Sequence, residues 1–373
     1  MTSLPAPPDQ SAELNSSALL SAAEKAGYPI SNRMLAAFRA QGLVPHPRRA
    51  GYRGRAPVWL YPPGTDRQLV FVLRYRALTK DQAVLRVLLW LDGFHVPASD
   101  VRHALIDHML RMGESLEHAI CTEASRLGLD PAEGIARSHA VDGLARTMAA
   151  KRGSSSLPRR GRMSARERGD AVALLIRIFG LGESVEGSPR QGDVVERILG
   201  VSPNGRRHSI AGAQPWLTGP AEDLFSAADL VSLPRLLDSV TDSTDSELET
   251  ARKTVIALFR YLPLAARMTD VLSGRDNYAG LASFEYVTQH PEIVLWLVPA
   301  VVAMFRAGWS ENLNTITEAL QQIPGLASRA QALTDMPAST VAANLAAKPE
   351  QVRKQAERII HAAIDGQFNM DSL

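Results

Sequence analysis

Cysteine is almost missing from this chain: Cys121 is the single one in 373 residues. An intrachain disulfide is thereby excluded, and a metal site built on several thiolates is excluded with it. Net charge is nearly absent too, since 41 Lys/Arg stand against 39 Asp/Glu, and the bulk balance of +2 names no class of partner. The segment that invites a membrane reading, IVLWLVPAVVAMF from Ile293 to Phe305, is short of the roughly twenty residues of a span and holds Pro299. It reads as a buried helix of a helical domain, so no membrane is expected. The start, MTSLPAPPDQSAEL, lacks the basic and apolar regions of a signal peptide. Among catalytic patterns, G-x-x-x-x-G-K-[ST], H-E-x-x-H, G-x-S-x-G and C-x-x-C are all missing. His103, His108 and His118 are spaced five and ten apart, which does not gather ligands on one helix face as a spacing of four would. No catalytic residue, cofactor or metal is expected.

The charge that is present is unevenly placed. Residues 1–163 carry 22 Lys/Arg against 14 Asp/Glu, whereas residues 164–373 carry 19 against 25. Residues 33–76 hold nine arginines, no lysine and one acid, Asp66. Arginine offers a planar fork to phosphate and guanine, so a cluster of this kind suits nucleic acid.

The same region has a legible local order. LLSAAEKAGY predicts a short helix with Leu19, Leu20, Ala23 and Ala26 on one face, stopped at Gly27-Tyr28-Pro29. A second helix is expected from about Ser31 to Gln41, capped by Ser31 or Asn32, with Met34, Leu35 and Phe38 inward. GLVPHPRRAGYRGRAPVWLY then reads as a turn and a two-stranded ribbon with a glycine and arginine tip. Pro62-Pro63-Gly64 makes a turn, and Thr65 or Asp66 caps a helix carrying Leu69, Val72, Leu73 and Tyr75. Thr79 or Asp81 opens the next, which Gly93 and Pro97 end.

Ile30-Ser31, Leu35, Phe38 and the run Gly42-Leu43-Val44-Pro45, Pro47-Arg48-Arg49 resemble the N-terminal winged helix-turn-helix of MerR-type regulators. Tyr61 before a helix start and Asp66-Arg67 with Leu69 after it extend the resemblance, which covers roughly residues 17–95. It implies a second helix in the major groove of double-stranded DNA and a wing on the phosphates. Carried over residue by residue, it gives Ser31, Asn32 and Arg33 at the helix start, with Arg48, Arg49 and Tyr61 from the turn and wing. Arg39, Arg53 and Arg55 are added on charge and position. The chain departs from the pattern where Ala36 and Ala37 replace the family's usual Arg-Tyr pair, and where Arg39 replaces an acid.

Beyond this region, a helix from Ser99-Asp100 spaces Val101, Leu105, Met109, Met112, Leu116 and Ile120 by three or four. That stripe suits either a dimer seam or packing within its own domain. Residues 151–168, KRGSSSLPRRGRMSARER, read as a linker, either a basic arm on DNA or a solvated tether. The second half is helical in pattern, with helices expected at Ala171–Phe179, Val194–Leu199, 222–240, 245–273, 278–289, 291–307, 311–322, 325–334, 338–346 and 349–365. GLGES at 180–184 lacks the strand a phosphate cradle needs. The acids Asp238, Asp242, Asp245, Glu247 and Glu249 fit a loop and a helix N-terminus better than a cation site. Tyr261, Tyr278, Tyr286, Trp296, Phe305 and Trp309 suit an apolar effector pocket or an ordinary core.

The expected architecture is all-α with a small β-wing: a winged helix-turn-helix followed by a larger all-α domain. The expected division is a disordered lead-in at 1–16, the DNA-binding domain at 17–95, and a helical extension or dimerisation helices at 96–150. A basic linker at 151–168 and an all-α domain at 169–373 complete it. The expected function is a cytoplasmic, non-enzymatic transcriptional regulator that binds double-stranded DNA as a homodimer. Its C-terminal domain would serve oligomerisation, a protein partner or a small-molecule effector. The alternative is a helical protein-interaction scaffold whose DNA-binding domain is vestigial or non-specific.

Overall fold

The computed structural model describes residues 14–53, 56–150, 164–183, 230–258 and 290–309, with scattered positions between 332 and 354. Among the described residues the chain is helical, with one two-stranded antiparallel sheet. It divides into a first unit, Met1–Leu105 with Val287–Leu295, and a second, Ile106–Tyr286 with Trp296–Leu373.

In the first unit α1 (Ser16–Lys25) begins where the Asn15 side chain accepts from the Ala18 N–H at 2.9 Å. Leu19 and Ala23 are its buried positions. It ends at Gly27, φ +86°, with the Gly27 N–H donated to Glu24 O and the Tyr28 N–H to Ala23 O. This is the Schellman closure, in which a left-handed glycine lets two amides fold back on the last turn. The pattern repeats at the end of α2 (Asn32–Ala40), where Gly42 turns and the Leu43 N–H reaches Phe38 O. It repeats again after α4 (Gln82–Leu91), through Gly93 and Phe94.

Between α2 and α4 lie a hairpin, β1 (Arg48–Arg53) and β2 (Ala56–Leu60), and α3 (Thr65–Arg76). Leu14 forms a two-way backbone bridge with Tyr61, just past β2, so residues 14–16, expected within the lead-in, are part of the fold, and residues 1–13 lie outside the described residues. Gly64 occupies the N-cap of α3 at φ +81°, and Thr65 is the first helical residue, not the cap. The Thr65 hydroxyl instead donates to Pro62 O at 2.6 Å, which fixes the turn. Asp81 caps α4 by accepting from the Ala83 N–H at 2.8 Å.

These elements enclose one core, centred on Leu19, Leu35, Phe38, Leu43, Tyr61, Leu69, Leu85 and Leu89. Two long-range hydrogen bonds fasten the exit of α2 to that core. Gln68 Nε2 donates to Leu43 O at 3.0 Å from α3, and Arg86 Nη2 donates to Gln41 O at 3.1 Å from α4. Gln41 is the C-cap, so its carbonyl is one that the helix end leaves without an intrahelical donor, and Leu43 lies in the turn just beyond it.

α5 (Ala98–Arg126) runs unbroken through Gly113. Val101, Leu105, Met109 and Ile120 are buried within a single chain, and Met112 and Leu116 are half-buried, so most of that stripe packs within its own fold. The second unit continues with α6 (Gly134–Ala150) and α7 (Ala165–Leu175), whose small residues Ala140, Ala145, Val172 and Ala173 pack with Ile120 and Ala124. Gly143 lies where any Cβ would collide with the Glu123 carboxylate, so glycine is what allows α6 to pass there. Ser164 and Glu167 form a reciprocal capping box, so the expected linker at 151–168 ends at Ser164, and its residues 165–168 are helix. The helix expected at Ala171–Phe179 accordingly starts six residues earlier, at Ala165.

A π-helical turn, Ile176–Gly180, closes this part. A Cβ on Gly180 would fall 2.5 Å from Leu116 Cδ2, so the glycines of 180–184 serve close packing and the exit turn. α8 (Leu233–Thr241) follows a turn at 230–232, which interrupts the helix expected at 222–240, whose residues 222–229 lie outside the described ones, and α9 covers residues 245–258. A 3-10 turn Pro291–Ile293 leads into α10 (Val294–Met304), in which Leu295, Val298, Val301 and Val302 are buried. Pro291–Gly308 has the length and apolarity of a membrane span, and 44% of it is buried. The helices expected at Val194–Leu199, 278–289 and 311–322 lie outside the described residues.

Candidate nucleic-acid interface

The first turn of α2 is exposed. Ser31 is its N-cap, with the hydroxyl accepting from the Met34 N–H at 3.3 Å, and Asn32 and Arg33 follow with their side chains in water. Met34, expected inside, is 39% exposed. A nine-residue helix buries one stripe, and Leu35 with Phe38 already fills it. Met34 therefore lies at the exposed edge of that stripe, on the flank away from Asn32. Arg39 is half-buried near the helix end, and Ala37 is exposed.

The hairpin presents a second surface. Arg48 pairs with Leu60 and Arg49 with Trp59; a bulge follows, and Gly51 then pairs with Val58 and Tyr52 with Pro57. Arg48 and Arg49 are both exposed. In a regular strand residues 49 and 52 would point to opposite faces; the extra residue of the bulge puts them on the same one. Their side chains do meet, with Arg49 Cζ 4.1 Å from the centroid of the Tyr52 ring. Arg53 lies at the end of β1, its side chain outside the described residues, and Arg55 lies outside them altogether.

Tyr61 is a correction. Its side chain is 1% exposed and belongs to the core, so it does not share a surface with the arginines. The residue holds its position through the backbone bridge to Leu14 and through apolar contact, which the resemblance had implied was a contact to phosphate.

Two exposed residues escaped the sequence reading: Tyr52, 64% exposed, and Trp59, 48% exposed. Strand alternation is the signal that could have found them. It points to Pro57 and Trp59 on one face, with Val58 and Leu60 on the other.

The remaining candidates resolve into structural roles. Arg177 donates to Asp142 Oδ1 at 2.9 Å and to the Ser138 hydroxyl at 2.8 Å, and it faces Glu183 at 3.7 Å. The Leu181, Gly182 and Glu183 N–H groups are donated to Ile176 O, Ile178 O and Arg177 O, so the backbone donors that a phosphate cradle at 180–184 would use are already engaged. In the acidic run, Thr244 and Glu247 make a capping box for α9, and Arg306 Nε donates to Glu247 Oε1 at 3.1 Å. The Thr244 backbone N–H, and then Arg306, hold the Glu247 carboxyl down to about 2. Among the described residues no group of three His, Cys, Asp or Glu gathers closely enough to hold a metal ion. Tyr261, Tyr278 and Tyr286 lie outside the described residues, and Trp296 and Phe305 are half-buried.

Set against protein-family models, curated proteins and solved structures, the chain matches none of them.

Proposed function

We propose that this chain is a sequence-specific DNA-binding regulator, similar in its first unit to the winged helix-turn-helix of MerR-type proteins. The observation that carries the reading is a juxtaposition in chain order. The capped first turn of α2 exposes Asn32 and Arg33, and a glycine turn leads from α2 to a hairpin bearing exposed Arg48 and Arg49. Such an arrangement offers side chains for base edges from the helix and cations for phosphates from the hairpin. Ser31, Asn32, Arg33, Arg39, Arg48 and Arg49 form the proposed contact set, with Arg53 and Arg55 added on sequence position. One domain of this size grips little DNA, so two copies on a two-fold site are proposed. The regulator would act in the cytoplasm without catalysis, its helical remainder taking a protein partner or effector.

The test is recovery of genomic fragments by the full-length protein at about 150 mM salt, near physiological ionic strength. Enrichment of one two-fold site, abolished when residues 1–95 are removed, supports the reading. Uniform or no recovery would sink sequence-specific regulation.

A second reading, a helical protein-interaction scaffold, draws on the other side of α2. Met34 and Ala37 are exposed where a DNA-reading helix would carry polar groups, and Ala36 is only half-buried. Affinity for a protein partner that survives high salt and is lost on Met34→Glu would favour it.

A further inference from the structure

The outer face of the hairpin carries two aromatic rings in water. Tyr52 is 64% exposed and Trp59 48%. The register aligns Arg49 with Trp59 and Tyr52 with Pro57, so these four side chains share a face, while Val58 and Leu60 on the opposite face are half-buried. Val58 and Leu60 turn toward the protein, whereas the face with the rings turns toward solvent, where Tyr52 rests against Arg49.

Two exposed rings beside arginines complement a ligand that is both planar and anionic. The charge is one-sided here, with nine arginines and the single acid Asp66 in residues 33–76. An intact duplex keeps its base faces stacked inside and would offer these rings only sugar and phosphate. An unpaired strand offers base faces and phosphates together, and stacking on aromatic rings beside basic groups is how single strands are held without regard to sequence.

We propose that this face binds single-stranded DNA, with Tyr52 and Trp59 stacking on unpaired bases and Arg49 supplying charge from its seat against the Tyr52 ring. The proposal rests on the reading of the first unit as DNA-binding and gives it a second substrate form, an opened or single-stranded segment. It also gives a reason for the bulge between Arg49 and Gly51, which brings Arg49 and Tyr52 to the same face.

The test uses the full-length protein and three DNA probes, oligo(dT) of about fifteen nucleotides, an abasic strand of equal length and charge, and a duplex, with oligo(U) of the same length as the RNA comparison. Oligo(dT) is expected to bind about a hundredfold more tightly than the abasic strand, about tenfold for each of two base–aromatic stacks. Trp59→Ala and Tyr52→Ala should each remove about tenfold of that difference and leave abasic binding unchanged, while Trp59→Phe retains it. Both side chains are exposed, so an unchanged unfolding midpoint certifies the variants as folded.

Equal affinity for oligo(dT) and the abasic strand, with salt-sensitive duplex binding intact, overturns the stacking proposal and leaves the duplex reading standing. Failure to bind any of the three overturns both. Tighter binding of oligo(U) than oligo(dT) assigns the face to RNA and overturns the DNA assignment. A fall in solution mass on Trp59→Ala overturns it in favour of contact between copies.

Discussion

In residues 33–76 nine arginines share the chain with one acid, whereas in the second unit Arg126, Arg137, Arg177, Arg252 and Arg306 each lie within 3.1 Å of a carboxylate oxygen. The residue type is the same and the use differs. In the second unit positive charge is spent internally: Arg137 grips Glu117 with two hydrogen bonds, of 2.7 and 2.6 Å, and Arg177 ties Asp142 and Ser138 to the helix ahead of it. In the first unit, Arg49 and Arg76 lie over the rings of Tyr52 and Phe38, and Arg86 holds a backbone carbonyl. None of those three interactions neutralises a charge. The lesson is that arginine count says little until each guanidinium has been followed to what it touches.

Four experiments would break or sharpen this contrast. The largest effect is expected at Phe38, fully buried beneath the Arg76 guanidinium. Phe38→Ala should cost about 3–5 kcal/mol, as a large core ring does when removed, read from denaturant unfolding of the full chain. Loss of only a few tenths would mean that the first unit does not depend on that core.

Next comes Arg177→Ala, which leaves the partly buried Asp142 and the Ser138 hydroxyl without their donor. A loss of about 2 kcal/mol is expected, the range for hydrogen bonds to charged groups. Asp142→Asn in the same background should recover part of it, and additivity of the two changes would count against the pair.

For Arg48→Ala and Arg49→Ala the expectation inverts. Stability should stay within about 0.5 kcal/mol, as for most surface changes. Affinity for DNA of any sequence should fall about tenfold for each, and the salt slope should drop by about one for every phosphate that is no longer neutralised. An unchanged slope in both variants would remove the hairpin from the proposed interface.

The smallest effect is acid-dependent. Glu247 is held to about 2 when folded against its usual 4.5, first by the Thr244 N–H and then by Arg306. A depressed folded value contributes stability in full above the unfolded value, and that contribution is lost as pH falls from about 4.5 toward 2. Since the side chain is 34% exposed, solvent screening reduces the contribution to about 1 kcal/mol. Glu247→Gln should flatten the acid limb of the stability curve by that amount.

Much of the first unit was legible because its helix ends are written in local chemistry. Gly27, Gly42 and Gly93 each turn left-handed after the last helical carbonyls, with an apolar Tyr28, Leu43 or Phe94 next. Ser31 and Asp81 are each one of the two caps the local sequence offers, the others being Asn32 and Thr79. What misled was direction rather than location. Met34 and Leu35 are neighbours, and spacing to Phe38 fits either; only the core decides which turns in. Tyr61 was placed correctly in the chain but given the wrong surroundings, because a resemblance transfers positions and not burial.

Composition hid a second signal. The basic, serine-rich look of 151–168 concealed Ser164 and Glu167, a capping box at the required spacing of three, and Thr244 and Glu247 repeat it inside the acidic run. The shared face of Arg49 and Tyr52 went unread. It depends on a bulge, which Gly51, a glycine inside the strand at φ +141°, signals.

The two hydrogen bonds that fasten Gln41 and Leu43 to α4 and α3 also limit what can be done with α2 outside this protein. At nine residues it is shorter than the roughly twelve to fifteen that an isolated helix needs in water. Cut out as a peptide, it would melt. Transplanted into another scaffold, it would need Gln68 and Arg86, or substitutes for them, to close its far end. Its portable unit is therefore the whole stretch from Asn15 through α4, and any attempt to re-engineer what this helix recognises should vary Asn32, Arg33 and Met34 with that frame left in place.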